Sequence, residues 1–183
     1  MRRLFIAGNW KLNKNINEAE RFAAELKSAL LDINTVDIAV APTILSLPTV
    51  CKKLQHTNIE VSAQNIHSHT SGAFTGEIAA EMVRAAGATY TIIGHSERRA
   101  IFGETDAFIN QKVHAAFRAG LLPILCVGET LAQREAGDAA RISAPAASPQ
   151  PRVHAKLAPA GRVPMPMSHD LSSGGYHNRV VHV

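Results

Sequence analysis

Leu4-Phe5-Ile6-Ala7-Gly8 is a continuous apolar run near the start of the chain, and amphipathic sequence follows it. An uninterrupted apolar run is typical of a parallel strand whose two faces are both buried. The next segment is predicted to be a helix, with Asn15 or Asn17 as its N-cap and acidic residues in its first turn. Its apolar residues recur at the steps of three and four that define one helix face: Ala19, Phe22, Ala23, Leu26, Ala29 and Leu30.

The strand–helix unit then repeats, with further strands predicted from Val36, Ile59, Tyr90 and Leu121. Such alternation implies a parallel sheet with right-handed crossovers. The pattern fits both an eight-fold barrel, which needs roughly 250 residues, and an open doubly wound sheet. The helices are predicted from about Leu45 to Gln55, from Gly76 to Ala86, from Ser96, from Asp106 to Ala119 and from Thr130 to Glu135.

The composition changes after Gly137. Residues 1–137 carry 14 Lys and Arg against 13 Asp and Glu, whereas residues 138–183 carry 5 against 2 and hold six of the nine prolines. A near-neutral first part is typical of an enzyme rather than of a nucleic-acid binder, and five scattered cations in the second form no binding patch. We therefore predict a strand–helix domain over 1–137 and a Pro-rich, irregular or disordered tail over 138–183. Within that tail only Val180–Val183 is compatible with a short strand.

Several classes of protein are disfavoured by the sequence. No run of 18 apolar residues is present, which argues against a membrane protein, and the first apolar stretch is too short for a secretory leader, so a cytoplasmic protein is predicted. Cys51 and Cys126 fit no metal or redox spacing and are predicted to be buried thiols. His67-Ser68-His69 lacks a third ligand, so no metal is expected.

Polar side chains cluster where the predicted strands end. In parallel strand–helix folds these ends meet at one rim, which is where ligands bind. The rim would combine an ammonium, an imidazole, carboxylates and amides. Its members are Asn9, Trp10 and Lys11 after the first strand, Gln64 and Asn65 after the third, Gly94, His95, Ser96 and Glu97 after the fourth, and Gly128 and Glu129 after the fifth.

His95 and Lys11 are the candidates that carry chemistry. His95 begins a short helix, where free backbone N–H groups and the positive end of the helix dipole should lower its pKa and leave a neutral imidazole. Lys11 is placed to neutralise an anionic substrate. Position alone also fits structural roles, as a helix cap and as a solvated charge. Arg98 and Arg99 are predicted to form structural ion pairs.

Four rim segments resemble the triosephosphate isomerase family, and the resemblance covers residues 1 to about 137. It implies an α/β fold of the (β/α)8 TIM-barrel type, here an incomplete barrel of about five units followed by the irregular tail. It also implies interconversion of dihydroxyacetone phosphate and glyceraldehyde 3-phosphate through an enediolate, in glycolysis and gluconeogenesis, without metal or organic cofactor. The segments are Ala7–Asn13, Ala63–Asn65 with Gly72–Glu77, Ile93–Arg99 and Pro123–Thr130.

The resemblance also implies roles for individual residues. Asn9 and Lys11 would contact the substrate, with Lys11 facing its negative charge. His95 would polarise the carbonyl and move protons between the enediol oxygens, and a neutral histidine at a helix N-terminus is a documented feature of that family. Glu97 would support catalysis. Thr75 is similar to the residue that family members insert into a partner subunit, so a homodimer is implied.

Two parts of the family pattern have no counterpart in this sequence. The base glutamate of the family lies in an Ala-Tyr-Glu-Pro-Val-Trp segment after strand six, whereas no glutamate follows Glu135 here. The phosphate-binding segments after strands seven and eight are also absent. We therefore expect impaired activity and open edges on strands one and five. The alternative is an inactive truncated or frame-shifted fragment that at most associates with intact isomerase subunits.

Overall fold

The computed structural model describes residues 3–128, 135–136 and 179–182. The predicted helix over 130–135 and most of the predicted tail over 138–183 therefore lie outside the described residues. Every other predicted strand and helix has a counterpart. The elements are β1 (Leu4–Asn9), α1 (Ile16–Ala29), β2 (Val36–Ala41), α2 (Leu47–Lys53), β3 (Ile59–Ala63), α3 (Ala80–Ala85), β4 (Tyr90–Ile93), α4 (Ser96–Phe102), α5 (Asp106–Arg118), β5 (Leu122–Val127) and β6 (Arg179–His182).

The first five strands form a parallel sheet in sequence order, from β1 to β5, that curls into part of a barrel. The predicted parallel strand–helix architecture is confirmed. Because all five strands run in one direction, their carboxyl ends lie at the same edge of the sheet. That edge is where the predicted rim residues are placed.

One of the two predicted open edges of the sheet, the edge at β1, is observed among the described strands, and the other is not. β6 pairs antiparallel with β5, with Ile124 opposite His182 and Val127 opposite Arg179, so the predicted open edge on strand five is wrong. β1 pairs only with β2 among the described strands, and its Leu4 and Ile6 side chains are 51% and 56% exposed. The prediction that both faces of the first strand are buried is therefore wrong for the described part of the chain.

The buried side chains form two layers because successive residues of a strand point to opposite faces. Ile93 and Val40 belong to the larger layer, between the sheet and the helices. Ile92 and Ala41, their neighbours in sequence, belong to a smaller cluster on the other face with Ile124. This explains the continuous apolar runs of β2, β4 and β5.

Two helix starts are decided by local chemistry. Asn15 is the N-cap of α1, because its side chain accepts from the Glu18 N–H at 3.0 Å and the Glu18 carboxylate accepts from the Asn15 N–H at 2.9 Å. The helix predicted from Gly76 begins only at Ala80. Gly76 has a left-handed φ of 91°, which no helical residue adopts, so the loop after β3 continues through this position.

Candidate functional site

The carboxyl ends of β1, β3 and β4 open onto one cavity of about 520 Å³. Six of the predicted rim residues line it, so the structure brings together side chains from three separate strand ends. Thr75 is exposed in a turn of the β3–α3 loop, and the two residues that follow it also line the cavity. Glu129 lies outside the described residues. The six lining residues are Asn9, Lys11, Gln64, Asn65, His95 and Glu97.

Lys11 is held in an unusual backbone conformation at this cavity. Its φ is 51°, in the left-handed region that lysine seldom occupies. Two hydrogen bonds support it: the Lys11 N–H donates to Asn9 Oδ1 at 3.0 Å, and the Lys11 carbonyl accepts from Gln64 Nε2 at 2.9 Å. Its ammonium group donates to Glu97 Oε1 at 2.7 Å. Asn9 and Gln64 therefore fix the lysine backbone, and Glu97 orients its side chain.

His95 is the N-cap of α4, and its ring nitrogen Nδ1 accepts a hydrogen bond from the Glu97 N–H at 3.3 Å. A nitrogen that accepts carries no proton, so the proton of the neutral ring lies on Nε2. Burial lowers the pKa of His95. The Glu97 carboxylate, 3.4 Å from Nδ1, opposes that shift, while the Lys11 ammonium adds to it. The lowered pKa has the predicted direction and favours the neutral imidazole, with burial rather than the helix terminus as its largest cause.

We expect the His95 imidazole to titrate with a midpoint below the ordinary value near 6.5. Between the folded and unfolded pKa values the unfolded chain binds more protons, so the free energy of unfolding falls as the pH drops below 6.5. Two-dimensional NMR of the ring nitrogens measures both the midpoint and the protonated nitrogen. A His95→Gln variant assigns the signals, and a midpoint above 6.5 would contradict the expectation.

A buried charge cluster adjoins the cavity lining. Lys112 on α5 is fully buried, and its Nζ donates to Glu104 Oε1 at 2.5 Å and to Asn65 Oδ1 at 2.8 Å. Glu104 also pairs with the guanidinium of Arg98. Burial favours the neutral acid, but the hydrogen bonds from Lys112 and Arg98 outweigh it and lower the pKa of Glu104. The cluster therefore joins two cavity residues, Asn65 and Arg98, through one carboxylate.

Sequence reasoning anticipated part of this cluster and missed the rest. The prediction that Arg98 and Arg99 form structural ion pairs, with Glu97 or Glu104 as partners, is confirmed for Arg98, which pairs with Glu104, whereas Arg99 pairs with Asp106 at 2.5 Å. Lys112 was not identified as important. A signal was present, because Lys112 falls on the apolar face of α5, three residues after Ile109, where a charged residue needs a buried partner.

The remaining predicted features are structural. Cys51 and Cys126 are buried, in agreement with the prediction of buried thiols, and burial raises the pKa of each thiol to about 11. The rings of His67 and His69 stack with centroids 5.4 Å apart. Among the described residues there is no group of three or more side chains able to hold a metal ion. No helix in that part of the chain is long and apolar enough to cross a membrane.

A curled parallel sheet with a lysine, a histidine and a carboxylate at its carboxyl edge is the arrangement of the ligand-binding end of a β/α barrel. The family model "Triosephosphate isomerase" matches residues 4–150, which extends past the predicted boundary at Gly137. This chain belongs to the triosephosphate isomerase family. The predicted family and the incomplete TIM-barrel fold are thereby confirmed.

Individual relatives agree with this assignment. The triosephosphate isomerase of Syntrophotalea carbinolica is 54% identical over 136 residues, which are 74% of this chain and 54% of that protein. The one from Carboxydothermus hydrogenoformans is 53% identical over 137 residues, 75% of this chain and 55% of that protein. The crystal structure of triosephosphate isomerase from Bartonella henselae superposes with a TM-score of 0.70 at 36% identity, covering 80% of this chain and 63% of that one. The chain thus spans about half the length of the curated relatives it matches.

Proposed function

We propose that this chain binds dihydroxyacetone phosphate and glyceraldehyde 3-phosphate, and that its cavity polarises the substrate carbonyl for their interconversion. The arrangement of Lys11, Glu97 and His95 carries the proposal. Glu97 Oε1 lies 2.7 Å from the Lys11 ammonium, and Glu97 Oε2 lies 3.4 Å from His95 Nδ1. A cation and an imidazole therefore line the same cavity beside one carboxylate, an arrangement that suits a small phosphorylated carbonyl compound.

Each residue has a separate part in this proposal. The Lys11 ammonium attracts the anionic substrate and stabilises negative charge on the enediolate. The Nε2 proton of His95 is donated to the carbonyl oxygen and then moves between the two enediol oxygens. Asn9 keeps the Lys11 backbone in place. Removal of the carbon-bound proton needs a base, and no glutamate follows Glu135. We therefore propose binding and polarisation with impaired proton removal.

The binding step is tested with Lys11→Met. We expect this change to weaken dihydroxyacetone phosphate binding by about tenfold or more, the effect of losing one charged hydrogen bond. Binding is measured by NMR titration of the folded chain. Lys53→Met is the matched control. Like Lys11, Lys53 forms an ion pair with a glutamate, in this case Glu20 at 2.9 Å, but it lies away from the cavity. Equal affinities for the wild type and Lys11→Met would contradict the proposed role.

The family resemblance extends the proposal to assembly and location. Thr75 would enter the site of a second copy in a homodimer. Its position supports this, since Thr75 is exposed and lies next to Phe74, which is 40% exposed, and to Gly76 and Glu77, which line the cavity. The proposed reaction places the chain in glycolysis and gluconeogenesis, and hence in the cytoplasm.

The alternative is an inactive fragment, truncated or frame-shifted, that at most associates with intact isomerase subunits. The exposed apolar face of β1 favours it, because Leu4 and Ile6 would be covered by further strands and helices in a closed barrel. The binding experiment separates the two possibilities. If the wild type binds dihydroxyacetone phosphate and Lys11→Met does not, the cavity is a working binding site. A fragment that serves only for association with other subunits would not bind this compound.

A further inference from the structure

The proposed site is assembled from two parts of the chain that are far apart in sequence. Lys11 follows β1, whereas His95 and Glu97 begin α4. The contact between Lys11 and Glu97 involves exposed side chains, with 51% and 44% of each accessible. An ion pair of that exposure is too weak to set the geometry of a site. Buried contacts must therefore hold the two parts at a fixed separation.

The first connection runs from the buried Lys112 to Lys11 through the end of β3. Gln64 Nε2 donates to the carbonyls of Lys11 and of Ala41, both at 2.9 Å, and so joins the ends of β1, β2 and β3. The next residue, Asn65, accepts a hydrogen bond from Lys112 Nζ at 2.8 Å. The Lys112 ammonium thus restrains Asn65, the neighbour of Gln64, and Gln64 is hydrogen-bonded to the Lys11 backbone.

The second buried connection reaches His95 through α4. The Glu104 N–H donates to the Arg98 carbonyl at 3.1 Å, and the Glu104 carboxylate pairs with the Arg98 side chain. The Arg98 N–H in turn donates to the His95 carbonyl at 2.9 Å. Glu104 therefore anchors the helix whose first residues are the cap, His95, and the carboxylate, Glu97.

Lys112 and Glu104 join these two connections directly. Their side chains are 0% and 3% exposed, and Nζ lies 2.5 Å from Oε1. A buried ion pair is a poor source of stability compared with apolar side chains of similar size, because both charges lose their hydration. A hydrogen-bonded ion pair is directional, since each hydrogen bond restricts the angle and distance between its two groups. The Lys112–Glu104 pair is therefore suited to fixing the relative positions of α4 and the end of β3.

We propose that Lys112 and Glu104 are positioning residues that set how Lys11 and His95 lie relative to each other. The proposal rests on the proposed function for its consequence in substrate binding. Its structural content does not depend on that function, because the arrangement of the two residues is defined in the free chain. Neither residue belongs to the rim that the sequence identified.

The test replaces both charges together, as Lys112→Met with Glu104→Gln, so that no buried charge is left unpaired and glutamine still offers Arg98 an acceptor. We expect the titration midpoint of His95 to rise towards 6.5, because a ring held less firmly becomes more hydrated and burial is the largest cause of its lowered pKa. Displacement of the Lys11 charge acts in the same direction, and displacement of the Glu97 carboxylate opposes it. We also expect dihydroxyacetone phosphate to bind about tenfold more weakly, since a charged contact is displaced. Both are measured by NMR on the folded chain.

Val50→Ala is the matched control, because Val50 is fully buried on α2 and its truncation destabilises the core without touching the cavity. It should leave the His95 midpoint unchanged. If the double variant does not fold, Asn65→Ala interrupts the Lys112 connection while the ion pair remains, and it should move the His95 midpoint in the same direction. An unchanged midpoint in the folded variants would overturn the proposal.

The two readouts distinguish failure of the inference from failure of the proposed function. If the wild-type chain does not bind dihydroxyacetone phosphate but the His95 midpoint moves in the variants, the proposed function is wrong and the positioning role stands. If binding is intact and both the midpoint and the affinity are insensitive to the double change, Lys112 and Glu104 are structural only.

Discussion

The purified chain is expected to convert dihydroxyacetone phosphate to glyceraldehyde 3-phosphate at least ~10²- to 10⁴-fold more slowly than its Syntrophotalea carbinolica relative, since that is the usual contribution of a general base. The described cavity is lined by two carboxylates, Glu77 and Glu97, and by the side chains of Lys11, Arg98 and His95. Glu97 is already paired with Lys11 at 2.7 Å, and Glu77 lies in the loop before α3. Loss of phosphate-binding segments would lower the rate further, because the substrate would be held less firmly.

A coupled assay measures this rate, with a dehydrogenase oxidising glyceraldehyde 3-phosphate as it forms and the relative assayed in parallel. His95→Gln on this chain is the necessary control. Residual activity that belongs to the cavity should fall further in that variant, whereas activity of a contaminating host enzyme would not change. A wild-type rate within tenfold of the relative would refute impaired proton removal.

Lys112→Met is expected to produce the largest loss of stability, lowering the free energy of unfolding by about 3–5 kcal/mol, because it leaves a buried carboxylate without one of its partners. Glu104 would retain only Arg98, which is partly exposed. Since total stability is usually about 5–15 kcal/mol, a loss of this size threatens folding at ordinary temperatures. Urea denaturation followed by circular dichroism measures it.

Lys53→Met provides the matched comparison for this change. It is the same substitution on a helix and also removes one ion pair, but that pair is solvated, so the expected loss is about 0–1 kcal/mol. The double change Lys112→Met with Glu104→Gln should be less destabilising than Lys112→Met alone. Similar losses in the free energy of unfolding for Lys112→Met and Lys53→Met would contradict the prediction that removing a partner of the buried Glu104 carboxylate is costly.

The same cluster gives a direction for pH dependence. The pKa of Glu104 is lower in the folded chain than its ordinary value near 4.5, because of its hydrogen bonds from Lys112 and Arg98. Its contribution to stability is therefore complete above that value and is lost as the pH falls through the folded pKa. The unfavourable protonation of His95 also lowers the free energy of unfolding as the pH falls, and it does so at a higher pH than the protonation of Glu104. Acid destabilisation should therefore begin with His95.

The sequence determined the local elements and the identity of the rim. Apolar periodicity gives strand and helix types directly, and parallel strands necessarily bring their carboxyl ends to one edge. Asn9, Lys11, His95 and Glu97 could therefore be placed together from the sequence alone. The direction of the His95 pKa shift also follows from its position at a helix start, but burial, which only the folded chain supplies, is its largest cause.

Only the tertiary structure decided the features that depend on contacts between distant segments. The pairing of β6 with β5, the exposure of β1 and the role of Lys112 all depend on which segments meet, and local periodicity carries no information about that. The parallel bridge between His67 and Ala79, just before α3, is likewise a contact that local periodicity does not predict. Sequence patterns describe what each segment prefers alone, whereas the partner of a buried charge or an unpaired edge is chosen by the folded chain as a whole.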